Sequence, residues 1–106
     1  MALIHKQRGG VWIGTSFFSC WKVTWPIGSI ELYDDRVILK APPEKVVEIP
    51  LDKITLVKKV LFFPVIAWGF KIEHQDENLP GYIFFWYMIS GKKISKFFEE
   101  KGVQIK

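Results

Sequence analysis

Tyr82-Ile83-Phe84-Phe85-Trp86-Tyr87-Met88, followed almost at once by residues 90–101, decides the fold. A run of seven apolar or aromatic residues falls far short of the ~20 that a membrane helix needs. It suits a central strand with both faces covered. Its aromatic and β-branched content, with Pro80-Gly81 just upstream, favours strand over buried helix. Side chains alternate across a strand, so Ile83, Phe85 and Tyr87 share one face and Tyr82, Phe84 and Trp86 the other. One set should face a barrel interior. The other needs the helix, another chain or a ligand over it, or it forms an exposed aromatic patch.

Residues 90–101 read as an amphipathic helix. Ser90 is the expected N-cap, because its hydroxyl can accept from a free N–H of the first turn. Gly102 suits the left-handed position that ends a helix, which makes Phe98 and Val103 the apolar pair of a Schellman ending. Ile94, Phe97 and Phe98 recur at i, i+3, i+4 and form the buried stripe. Lys92, Lys93, Lys96, Glu99, Glu100 and Lys101 occupy the remainder. The charges run against the helix dipole, with lysines at the positive end and glutamates at the negative end.

The chain has 106 residues, the size of one domain with a single core. Its 49% hydrophobic content argues against disorder. A net charge of +4 permits an acidic partner without demanding one. Cys20 is the single cysteine, so neither an intrachain disulfide nor a thiolate metal cluster is expected, and a reducing, cytoplasmic setting fits. Lys6 and Arg8 are not followed by an apolar run of signal-peptide type. The apolar stretch at 60–70 is interrupted by Pro64 and Gly69 and is too short to span a membrane.

Upstream of the closing strand, residues 1–10 read as a flexible N-terminal arm jointed at Gly9-Gly10, with residues 11–13 as an edge strand at most. Residues 17–25 alternate as a strand whose core set would be Phe17, Ser19, Trp21, Val23 and Trp25. Pro26-Ile27-Gly28 then reads as a turn. Residues 29–33 and 36–41 form a hairpin around Asp34-Asp35, since Asp tolerates turn conformations and can bond its own backbone. Short strands follow at 46–49, 54–62 and 65–74, separated by Pro42-Pro43, by a bend at Pro50 and Asp52 that tucks Leu51 and Ile54 inward, and by Pro64. The sum is a mainly β chain of seven strands with one C-terminal α-helix. Without βαβ alternation the sheet should be antiparallel, a sandwich or barrel capped by the helix.

This order of elements resembles the pleckstrin-homology superfold, in particular small bacterial PH-like and GRAM-like domains. The resemblance covers about residues 17–105. It rests on the hairpin at Asp34-Asp35, on Val46-Val47-Glu48-Ile49-Pro50-Leu51-Asp52-Lys53-Ile54, and on the aromatic last strand running into the helix. It implies a single PH-like domain over residues 11–106: a strongly bent seven-stranded antiparallel barrel capped by the helix. Such folds host lipid, peptide and protein binding. The phosphoinositide signature of some members is a basic cluster with arginine in the first hairpin loop. Here that loop is the acidic Asp34-Asp35, with only Arg36 adjacent.

No catalytic constellation emerges. His74 with Glu73, Asp76 and Glu77 lacks a recognised metal spacing and reads as a solvated loop. Cys20 reads as a buried strand cysteine rather than a nucleophile. Gly9-Gly10 lacks the pattern of a phosphate loop, and the turn role explains Asp34-Asp35. We therefore expect no enzyme, no cofactor and no metal. Two surfaces are candidates for binding. Trp12, Phe62, Phe63, Trp68, Phe84 and Trp86 exceed what one small interior requires; a large aromatic core is the competing explanation. Lys58, Lys59, Lys92, Lys93 and Lys96 could contact anions where the fold brings them together; ordinary solvated lysine is the alternative. The leading expectation is a protein or peptide partner, including a second copy of the chain, held by the aromatics or a sheet edge. The alternative is an anionic membrane surface, which would make the cytoplasmic chain peripheral to a membrane. Nucleic acid is not expected, because stacking beside lysines would also need an open sheet or groove face.

Overall fold

The computed structural model describes residues 3–16, 19–42, 45–62, 67–75, 78–87 and 91–105. Seven strands run in chain order: β1 (Leu3–Ser16), β2 (Ser19–Tyr33), β3 (Arg36–Ala41), β4 (Lys45–Pro50), β5 (Ile54–Phe62), β6 (Ala67–His74) and β7 (Tyr82–Tyr87). A 3-10 turn (Leu51–Lys53) links β4 to β5, and one helix, α1 (Lys92–Glu100), follows β7. The strands form one antiparallel sheet in the order β4-β3-β2-β1-β7-β6-β5, curled into a half-barrel.

The strand number agrees with expectation and β3 to β7 are the expected strands, but the N-terminal two are divided differently. Residues 3–10 of the expected arm belong to β1, which is the central strand of the sheet rather than an edge, and residues 1–2 lie outside the described residues. Gly9-Gly10 is no hinge either. Gly10 is buried, and a Cβ there would run into the Trp86 indole. Glycine is therefore needed for close approach, a reading that a glycine pair in sequence does not distinguish from flexibility. The expected turn at Pro26-Ile27-Gly28 is also corrected, since β2 continues through it. The register on β1 shifts between Gly9↔Gly28 and Val11↔Val23, so the extra residues of β2 are taken up as an irregularity within the strand. That arrangement accommodates a proline without breaking the sheet.

Inner faces converge on one core. Val11 and Ile13 of β1, Ile30 and Leu32 of β2, Phe70 and Ile72 of β6, and Ile83 and Phe85 of β7 are all buried in it. The helix closes it with Ile94, Phe97 and Phe98, the stripe read from sequence. Leu51 packs against the same cluster and Ile54 belongs to it, as the bend at Pro50 requires. Trp21 departs from expectation: it is 38% exposed, and its indole N–H donates to the Ala41 carbonyl at 3.1 Å.

The helix ends as its sequence predicts. Gly102 has φ +78°, Val103 N–H donates to Phe98 O at 2.9 Å, and Gly102 N–H donates to Glu99 O at 3.1 Å. These are the two bonds of a Schellman ending, and Val103 packs against the core beside it. At the other end the expected cap, Ser90, lies outside the described residues. Gly91 occupies the N-cap position and supplies no side-chain bond.

Candidate functional site

The sheet has two edges. Among the described residues β4 has a strand neighbour on one side only. β5 is partly covered: Val57 bridges to Ile105, and its N–H donates to Gln104 O at 2.9 Å. Past that bridge, residues 59–62 of β5 pair only with β6 among the described residues.

Lys58 and Lys59 are adjacent in sequence but separate in space. Lys59 is opposite Phe70, on the inner side, and Lys58 is opposite Lys71, on the outer side. Lys59 reaches the mouth of the half-barrel. There it lines an open cleft of about 360 Å³ together with Tyr87, Gly91, Lys92, Ser95, Lys96 and Glu99. Three of the five candidate lysines thus meet between the β5 edge and the first turns of α1. Lys93 turns instead toward a neighbouring cleft that includes His5, Asp34, Lys96, Glu100 and Lys101. Lys58 lies 3.7 Å from Glu73. Burial pushes the Tyr87 hydroxyl pKa up, so the floor of the lysine cleft is neutral phenol. The helix offers no acidic residue in its first turn to offset Lys92 and Lys93.

The aromatic candidates divide differently. Trp12, Phe84 and Trp86 share the outer face with Tyr82, opposite the core set. Phe84 is buried at 2% exposure, its ring 5.3 Å from that of Trp12. Trp12 and Trp86 are half-buried. Phe62 and Trp68 are placed by their backbones at the paired ends of β5 and β6, while their side chains and all of Phe63 lie outside the described residues.

One cluster escaped the sequence reading. Glu31 on the outer face of β2 is 5% exposed. Its carboxylate lies 2.9 Å from Lys40 Nζ and 3.7 Å from Lys6 Nζ, and accepts from the Tyr33 hydroxyl at 2.8 Å. The Lys40 hydrogen bond, helped by Tyr33 and the charge of Lys6, holds the Glu31 carboxyl below its usual range against the opposing pull of burial. Their separate hydrogen bonds to Glu31 hold Lys40 and Tyr33 above theirs. The cluster joins β1, β2 and β3, and period-two alternation places all of it on one face once β1 is known to be a strand.

His74 is engaged by the fold, its Nε2–H donating to the Pro80 carbonyl at 2.6 Å. Among the described residues no group of three or more His, Cys, Asp or Glu side chains could hold a metal ion, and no helix is long and apolar enough to cross a membrane. No protein-family model matches the chain, and no curated protein matches it either.

Proposed function

We propose that the chain is a non-catalytic binding module of the PH/GRAM-like kind, which takes an extended acidic peptide along the open part of β5. One observation carries this reading: Lys59 of the edge strand and Lys92 and Lys96 of α1 line the same cleft over Tyr87. An unpaired strand edge presents N–H and C=O groups that an added strand can satisfy, and side-chain contacts then supply selectivity. Three lysines from two elements favour acidic side chains in that added strand. The peptide comes from another protein or from a second copy of the chain. The strand order with one C-terminal helix supports the PH-like assignment, and the single cysteine is compatible with a cytoplasmic setting.

The second reading is an anionic lipid headgroup at the same three lysines, favoured by the acid-free first turn of α1. An array of short extended peptides, with anionic vesicles alongside, tests both. The peptide reading expects acidic sequences to bind, to slow amide exchange at residues 59–62, and to be lost from the double variant Lys59→Glu, Lys92→Glu. Protection at β4 instead, or undiminished binding by that variant, contradicts it. Vesicle binding without any peptide binding selects the lipid reading.

A further inference from the structure

The sheet face turned away from α1 carries a second arrangement. Following the paired registers, one row runs Lys22, Trp12, Phe84, Lys71, Lys58 across β2, β1, β7, β6 and β5. Tyr82 and Trp86 stand two residues to either side of Phe84 along β7. Phe84 is sealed, whereas Trp12, Tyr82 and Trp86 remain half-buried. The Trp86 indole lies over Gly10, along the sheet rather than upright from it.

Cations are interleaved with these rings. Lys22 Nζ sits 4.8 Å from the Trp12 ring centroid and Lys71 Nζ 5.6 Å from that of Tyr82. Among the described residues of this face on these five strands, the carboxylates are Glu73, with Lys58 beside it at 3.7 Å, and the buried Glu31, already held by Lys40 and Lys6. The face is therefore basic and repels a second copy of itself.

We propose that this outer face binds single-stranded nucleic acid, with Trp12, Tyr82 and Trp86 as stacking surfaces and Lys22, Lys58 and Lys71 as phosphate contacts. An open sheet face was the condition that the sequence alone left unmet, and the half-barrel supplies one. A single strand offers both π-faces and phosphates, which is what aromatics interleaved with lysines recognise. A duplex hides its base faces and would use the lysines alone. Alternate residues along a strand are about 7 Å apart. That is about twice the 3.4 Å rise of a stacked nucleotide, so bases can splay onto separate rings. Flexible lysine stems let each ammonium move from ring to phosphate as a base arrives.

The test is fluorescence anisotropy of the full chain with a labelled oligothymidylate, at low and raised salt, beside a duplex of equal length, anionic vesicles and polyglutamate. The single strand should bind more tightly than the duplex and quench tryptophan fluorescence. Lys22→Glu with Lys71→Glu should weaken binding at least about tenfold and flatten the salt dependence by about 0.7 in log–log slope per lost phosphate contact. The melting temperature should hold, and the Lys59→Glu, Lys92→Glu variant should bind as the parent does. Trp86→Ala should cost about fivefold or more, largely restored in Trp86→Phe, which keeps a π-face. Absence of binding at low salt overturns the proposal, as does equal loss in the cleft variant. Vesicle or polyglutamate binding with the same lysine dependence and no quenching also overturns it, since the face would then serve acidic surfaces in general.

Discussion

β7 shows two environments in six residues. Its inner side chains Ile83 and Phe85 are fully buried, while Tyr82, with Lys71 over its ring, and Trp86 on the outer side stay half-buried. Both sets are apolar letters in one uninterrupted run. The inner set contributes area removed from water and contacts on every side, so it holds the fold. The outer set keeps accessible ring surface, so part of its area is available to a partner. A strand that is apolar on both faces thus need not belong to two cores.

Substitutions on the two faces should differ in the size of their effect. Phe85→Ala should have the largest effect, about 3–5 kcal/mol by chemical denaturation, because it leaves a cavity in the core. Trp12→Ala, on the outer face, should cost clearly less; an equal cost would make the outer rings a second core. Gly10→Ala places a methyl group against the Trp86 indole and should destabilise by about 1–3 kcal/mol, unless the ring can swing away. Loss in that variant of nucleic-acid binding with little loss of stability would show that the indole had moved off the sheet.

Gly102→Ala should cost about 1–2 kcal/mol, since the backbone there is left-handed and a Cβ would meet nothing within 4 Å. The penalty is purely conformational, so Gly102→Asn should recover part of it. The Glu31 cluster makes an outer-face contribution of another kind. Its folded pKa is depressed, so its stabilisation is complete above the ordinary glutamate value of about 4.3 and is lost as pH falls through the folded value. Melting temperatures of Glu31→Gln and the parent should accordingly converge in acid and diverge toward neutrality. Smallest of all, Lys22→Glu should change stability by no more than about 0.5 kcal/mol, because the side chain is exposed.

The C-terminal part of the fold was legible because its signals are local. Period-two alternation marks β3 and β6, the i, i+3, i+4 stripe marks α1, and Gly102 with Phe98 and Val103 marks its ending. The N-terminal part was not. β1 contains a glycine pair and polar residues because it lies under aromatic rings of β7 and beside the Glu31 cluster, and both reasons are non-local. Pro26 read as a turn because the irregularity that absorbs it depends on pairing with β1. The lysines were visible as candidates, but Lys58 and Lys59 could be assigned to opposite faces only after the register was known. The outer row from Lys22 to Lys58 spans five strands of non-consecutive sequence, and local pattern carries no signal for it.

In this fold β1 anchors the sheet while β5 stays open beside α1. Native-state hydrogen exchange on the full chain tests it most directly. We predict that the amides of residues 11–13 exchange only by global unfolding, and that the edge-facing amides of residues 59–62 exchange rapidly until an acidic peptide is added. Fast exchange in β1, or global-level protection of residues 59–62 in the free monomer, would show that the sheet is not anchored and opened in this way.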